Sequence, residues 1–181
     1  MKLFAVLLGG RASGCHIELH DVVFTVGKSL EETYPLLVNK WFGESNRLHV
    51  DSSVELCHVD GYQITIKPHP PINQDNQLYF VNFGGYEQQV FGEMHHVGFY
   101  VCSSKKNAII KAKKELCVGL TQQHCDDNFT IAVDDLIQIN KVDHSCVHLE
   151  KTNIPAKLDI QSHYRRLDVP AIIEKASLLA S

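Results

Sequence analysis

The chain contains no CxxC pair and no disulfide-framework spacing, although it has six cysteines, at positions 15, 57, 102, 117, 125 and 146. Scattered cysteines of this kind read as reduced thiols and point to a cytoplasmic protein. No apolar run approaches the roughly 18 residues of a membrane-spanning helix. A basic surplus is also missing. Lys and Arg total 17 against 21 Asp and Glu, a formal charge of −4, so the whole molecule exerts no pull on nucleic acid or an anionic membrane. The signatures of common enzymes are absent too. Gly9 and Gly14 have P-loop spacing, but Cys15 and His16 stand where Lys and Ser/Thr are required, and no serine sits in a GxSxG elbow. Phosphoryl transfer and hydrolase chemistry therefore have no support.

What the chain does have is an internal duplication. Adding 75 to a position in Leu3–His20 reaches its counterpart without a gap: Val6 and Val81, Gly9 and Gly84, Gly10 and Gly85, Glu18 and Glu93, His20 and His95, Phe24 and Phe99. The same offset pairs His49 with His124, Asp51 with Asp126, Asp60 with Asp135, Gln63 with Gln138 and Ile64 with Ile139. Met1-Lys2 and the apolar Leu3–Leu8 could pass for a leader, but the segment recurs inside the chain as Leu78–Phe83, where it reads as a strand.

Residues 2–8 are apolar on both faces, as in a strand inside a sheet, and Gly9-Gly10 is expected to end it. His20, Val22, Phe24 and Val26 alternate with polar or smaller residues and predict a second strand with one apolar face. Ser29-x-x-Glu32 has capping-box spacing. The helix that should follow buries Leu30, Tyr34, Leu37, Val38 and Trp41, with Pro35 disturbing its first turn and Gly43 closing it. Its counterpart after Ser104 buries Ala108, Ile109, Ala112 and Leu116, and its lysines read as a solvated face. Extended stretches over Leu48–Asp51 and Val54–His58 come next, then an Asp60-Gly61 hairpin into Tyr62, Ile64 and Ile66. Each copy is thus ββαββ, the first over 1–67 and the second over 78–142, joined by a linker at 68–77. Residues 143–181 form a C-terminal extension with one strand near Ser145–Glu150, an irregular stretch containing Pro155 and Pro170, and a helix over Ala171–Leu179.

Glu18 and His20 lie two apart on a strand and share the face that continues into Val22 and Phe24, as do Glu93 and His95 in the second copy. Polar groups at the end of a buried row need partners, since leaving them unpaired costs several kcal/mol. Four readings stand open. The pairs pin the glycine-rich segment structurally; or they bind a small polar or anionic ligand, with Gly9, Gly10, Gly84 and Gly85 offering backbone N–H groups; or Glu18, His20, Glu93 and His95 hold a divalent metal between the copies; or Glu18 and His20 do so with His49 and Asp51 within one copy. No cofactor is demanded by the residues. His144, Cys146 and His148 share a strand face, but such positions splay apart, and His163-Tyr164-Arg165-Arg166 reads as a surface turn able to meet an anion.

The runs Leu7-Leu8-Gly9-Gly10, Ile17–Val22, Leu48-His49-Val50-Asp51, Val59-Asp60-Gly61-Tyr62, Phe83–Tyr86 and Glu93-Met94-His95 resemble a bacterial family catalogued as domain of unknown function 1543. The resemblance implies a bacterial cytoplasmic protein and supplies no catalytic residues. The expected fold class is α+β: two tandem ββαββ repeats related by a pseudo-two-fold, with mixed sheets and helices packed on one side. The expected function is binding of a small polar or anionic ligand near the glycine pairs. The rivals are a metal-dependent enzyme on the same residues and a structural or interaction module, with an oligomer allowed in each case.

Overall fold

The computed structural model describes residues 1–86, 89–116, 122–123, 134–155 and 158–180. In chain order the elements are β1 (Lys2–Arg11), β2 (Leu19–Gly27), a 3-10 turn (Glu31–Thr33), α1 (Tyr34–Lys40), β3 (Glu44–Glu55), β4 (His58–Val59), β5 (Tyr62–Lys67), β6 (Gln77–Tyr86), β7 (Met94–Cys102), α2 (Lys105–Leu116), β8 (Gln122–Gln123), β9 (Asp135–Gln138), β10 (Lys141–Val142), β11 (Ser145–Lys151), β12 (Ile160–Arg166) and α3 (Val169–Ala180). The protein is α+β, with three α-helices and antiparallel sheets among the described residues.

The 75-residue offset holds position for position in the opening hairpin of each copy. β1 pairs β2 from Lys2↔Gly27 to Gly10↔Leu19, and β6 pairs β7 from Gln77↔Cys102 to Gly85↔Met94. The glycine pairs do not end these strands. Gly9 is flanked on both sides, by His20 on β2 and His49 on β3, so its peptide groups lie within a ladder and the expected loop is a continuation of the strand. β1 sits between β2 and β3 and runs antiparallel to both. β2 and β3 are therefore parallel without touching, and the expected mixed sheet is instead antiparallel throughout its pairings. The two extended stretches expected over 48–58 are one long strand, β3, kinked by a bulge: Leu7 faces Ser52 and Leu8 faces Val50, which leaves Asp51 as the extra residue.

Past the helices the offset becomes 83. Phe4↔Glu55 on β1 and β3 corresponds to Tyr79↔Gln138 on β6 and β9. Leu56 N donates to Leu3 O at 2.9 Å and Ile139 N to Leu78 O at 2.8 Å, while Ile64 N reaches Cys57 O and Val147 N reaches Asn140 O. Asp60 and Asp143 share the positive φ of the hairpin turns, 52° and 54°. The true partner of Asp60 is thus Asp143, and of Ile64, Val147; Asp135, Gln138 and Ile139 coincided at offset 75 by chance. The eight extra residues fall between Leu116 and Asp135. Each copy lends a hairpin to a shared sheet, β10-β11-β5-β4, in which β5 and β11 pair antiparallel with Thr65 opposite His148.

The central core lies between the copies. Leu3, Ala5, Val26, Val54 and Leu56 pack with Leu78, Phe80, Val101, Ile139 and Val147, and the Phe24 and Phe80 rings meet edge-on at 5.7 Å. Outside it, Leu37 and Trp41 cover one face of β1, and Ala108 and Ala112 let α2 lie close on β6. Ser29 Oγ accepts from Glu32 N, and Glu32 reaches back to Lys28 N. The capping box opens a 3-10 turn, with the α-helix delayed until Pro35 falls in its first turn. Two ion pairs clasp the copies reciprocally, Lys40 to Asp143 at 2.7 Å and Lys111 to Asp60 at 2.6 Å. Lys111 is thereby taken out of the expected solvated face.

The tail departs most from expectation. β12, read from sequence as irregular, pairs β3 and becomes an edge of the first sheet. α3 follows with Val169 buried against the α1 side of the sheet, close to the expected helix.

Candidate functional site

The end of the first sheet gathers Glu18, His20, His49 and Asp51 above Gly9. Register explains how. His20 and His49 are the two cross-strand neighbours of Gly9, and cross-strand partners share a face. The bulge turns Asp51 to the same point. A Cβ on Gly9 would collide with His49 Nε2 and Asp51 Oδ2, so only glycine leaves room for the cluster.

His49 Nε2 lies 3.1 Å from Glu18 Oε1 and 3.3 Å from Asp51 Oδ1, and His20 Nε2 lies 3.0 Å from Asp51 Oδ2. His49 is 1% exposed, whereas the side chains of Glu18 and His20 are 43% and 47% exposed. The cluster is rooted in the core and open on one side. Its closeness is not that of ordinary hydrogen bonding: His49 Nε2 and Asp51 Oδ2 are buried without an aligned hydrogen-bond partner. The other ring nitrogen, Nδ1, lies 2.9 Å from Arg47 O. Facing a carbonyl, Nδ1 donates to it, and Nε2 is turned into the space between the two carboxylates. The Tyr164 ring, from β12, covers the His49 ring at 4.4 Å with a 36° tilt. A second irregularity makes this contact, because β12 carries an extra residue between Ser162 and Arg165 opposite the Asp51 bulge.

Among its described residues the second copy gathers a corresponding trio. Glu93, His95 and Asp134 offer ligand atoms that all lie within 4.8 Å of one another, with His95 Nε2 at 3.7 Å from Glu93 and 3.5 Å from Asp134. A Cβ on Gly84 would strike Glu93 and Asp134. Asp134 stands 83 residues beyond Asp51; the position equivalent to His49 is Ala132 in the sequence. His124 and Asp126, the counterparts expected at offset 75, lie outside the described residues.

Each Glu-x-His pair is therefore gathered with an aspartate of its own copy. Asp134 was missed by the sequence reading because the insertion moved it, and Tyr164 because an exposed edge strand has no apolar alternation to announce it. His148 Nε2 meets His69 O at 2.7 Å, apart from both clusters. Arg165 turns to the opposite face, where Glu31 and Tyr34 accept from its guanidinium at 2.8 and 2.7 Å. Those contacts raise its pKa, Tyr34 first and then Glu31. Cys15, Cys57, Cys102 and Cys146 are free thiols, and burial raises the Cys102 pKa. Among the described residues no helix is long and apolar enough to cross a membrane.

The crystal structure of a protein Il1583 from Idiomarina loihiensis is similar to this chain at 36% identity and a TM-score of 0.69, covering 92% of this chain and 97% of its own. No functionally curated protein matches. The family model described as Domain of Unknown Function (DUF1543) matches twice, over residues 15–66 and 91–149. The matches begin 76 residues apart and end 83 apart, the same lengthening that the strand registers display. On these matches the chain belongs to the DUF1543 family, as a tandem duplication of its domain.

Proposed function

We propose that the protein is a metal-dependent enzyme acting on a small polar molecule, with a divalent transition-metal ion held by Glu18, His20, His49 and Asp51. The observation that carries this reading is the buried Nε2 of His49, aimed between two carboxylates and aligned with neither. A hydrogen-bonded pair would point along its bond, whereas ligands of one ion point at a shared centre. Bonds of about 2.0–2.2 Å to such a centre leave neighbouring ligand atoms about 3.0–3.5 Å apart; three separations of 3.0–3.3 Å suit this, and the exposed Glu18 and His20 side chains must swing inward to complete the set, because no three of its ligand atoms lie within 4.8 Å of one another. The Nδ1 contact to Arg47 O supplies the outer-shell orientation that metal-bound histidines carry. Two histidines and two carboxylates suit zinc, iron or manganese. The exposure of Glu18 and His20 leaves a side from which a substrate reaches the ion.

The glycines act in this reading as space, not as anion donors, since the peptide groups of Gly9 lie within the ladder. The copies are related by a pseudo-two-fold passing beside Thr65 and His148. Those residues are 83 apart in sequence and directly opposed, and the flanking pairs Ile64↔Leu149 and Ile66↔Val147 exchange under the same operation. Thermal unfolding of chelator-stripped protein tests the metal: Zn2+ or Mn2+ raises the melting temperature of the parent and leaves His49→Gln unmoved. Equal shifts in both proteins would remove His49 from the site.

A further inference from the structure

The C-terminal extension leaves a surface that one chain does not cover. β12 is an edge of the first sheet, and six of its seven residues are exposed, Ile160 and Tyr164 among them. Among the described residues no strand lies beyond it, so alternate N–H and C=O groups along its outer side have no ladder to join. The extra residue between Ser162 and Arg165 is matched by the bulge in β3, so β12 bends with its sheet. Leu167 and Asp168 then lead into α3, which carries only two charged residues in twelve, Glu174 and Lys175. A helix with so little polar surface belongs in contact on more than one side. Yet Val169 is its only buried residue among those described, and Ile173 and Leu179 are 53% and 81% exposed. Strand edge and helix follow directly in the chain and present an apolar surface of the kind that marks an interaction site.

Size, charge and symmetry identify what covers it. Residues 158–180 supply the roughly 20–30 residues that each partner brings to a standard interface. Their three acidic side chains are matched by three basic ones. Two copies therefore meet there without the repulsion that the chain's charge of −4 imposes elsewhere. Antiparallel pairing of β12 with itself engages the whole strand when His163, its middle residue, lies on the two-fold axis. Ile160 then falls opposite Arg166, whose aliphatic stem covers it, and Asp159 comes to the basic Arg165-Arg166 end of the other strand. We infer that residues 158–180 form the interface of a two-fold dimer of this chain, in which β12 joins the two four-stranded first sheets into one and α3 packs against the second copy.

Light scattering behind gel filtration gives the mass of the full chain in solution. Twice the chain mass is expected for the parent. The Ile173→Arg, Leu179→Arg double variant should fall to the mass of one chain with unchanged circular dichroism, since both side chains are exposed. Ile160→Lys, on the strand instead of the helix, should give the same halving. Amide hydrogen exchange along β12 should be slower in the parent than in the double variant. A parent of single-chain mass overturns the dimer, and its retention on phosphatidylcholine vesicles would assign the surface to a lipid bilayer instead. A double variant that keeps twice the chain mass, or β12 amides that exchange equally in the two proteins, overturns the interface.

Discussion

Gly9 and Gly84 lie at corresponding ends of the same duplicated hairpin and carry the same first partners, a Glu-x-His pair and an aspartate. They differ in what stands behind those partners. The first cluster has His49, 1% exposed and roofed by Tyr164; the second has Ala132 at the equivalent sequence position, and its His95 side chain is 54% exposed. In the first sheet β12 adds a further strand beyond β3. The C-terminal extension reaches only the first cluster among the described residues, through Tyr164 on His49. Low exposure and fixed ring orientation are what turn exposed acidic groups into a preorganised set of ligands.

Changes that erase this difference should have the largest effects. His49→Ala should lower metal affinity at least about 100-fold, the upper end of what outer-shell losses alone produce, while His95→Ala should leave the tight site intact; equilibrium dialysis with Zn2+ compares them. Gly9→Ala should destabilise the protein by about 2–3 kcal/mol, because overpacking against a buried ring is hard to relieve. Among the described residues a Cβ at Gly84 meets first the partly exposed Glu93 and Asp134, which can swing aside, so the cost of Gly84→Ala in urea unfolding should be about 1 kcal/mol or less. Equal costs would mean that the two floors are equivalent.

Tyr164 sharpens the comparison at smaller scale. Tyr164→Ala uncovers His49 and should weaken metal binding about tenfold, with Tyr164→Phe retaining parental affinity. Smallest is the effect of Asp21, where the copies face each other. Burial raises its pKa, a backbone hydrogen bond at Val22 opposes the rise, and the charge of Asp135 adds to it. A raised carboxyl pKa favours folding below the unfolded value and loses that contribution as pH rises through the folded one. Asp21→Asn should therefore raise the melting temperature slightly at pH 7, within about 0.5 kcal/mol as surface changes go, and the gain should vanish in acid.

The duplicated hairpins were legible because strands buried on both faces tolerate no slip: moving Leu3–Leu8 by one residue would reverse every side chain. Glu18, His20, His49 and Asp51 were legible as candidates through same-face spacing. The insertion within the second copy was hidden by coincidences at Asp135, Gln138 and Ile139, so Asp134 was never paired with Asp51. The interruption after Gly9-Gly10 was misread because glycine in a strand marks either its end or a close approach, and here His49 and Asp51 occupy the space a side chain would take. β12 has exposed residues at nearly every position, so neither its pairing nor the Tyr164 contact left a periodic trace.

Metal content per chain, measured by plasma mass spectrometry after saturation and gel filtration, bears most directly on the first cluster as a metal site. One ion per chain in the parent and in His95→Ala, with none in a folded His49→Ala, is the predicted result. A parent that emerges metal-free, or a His49→Ala protein that keeps its ion, would contradict it.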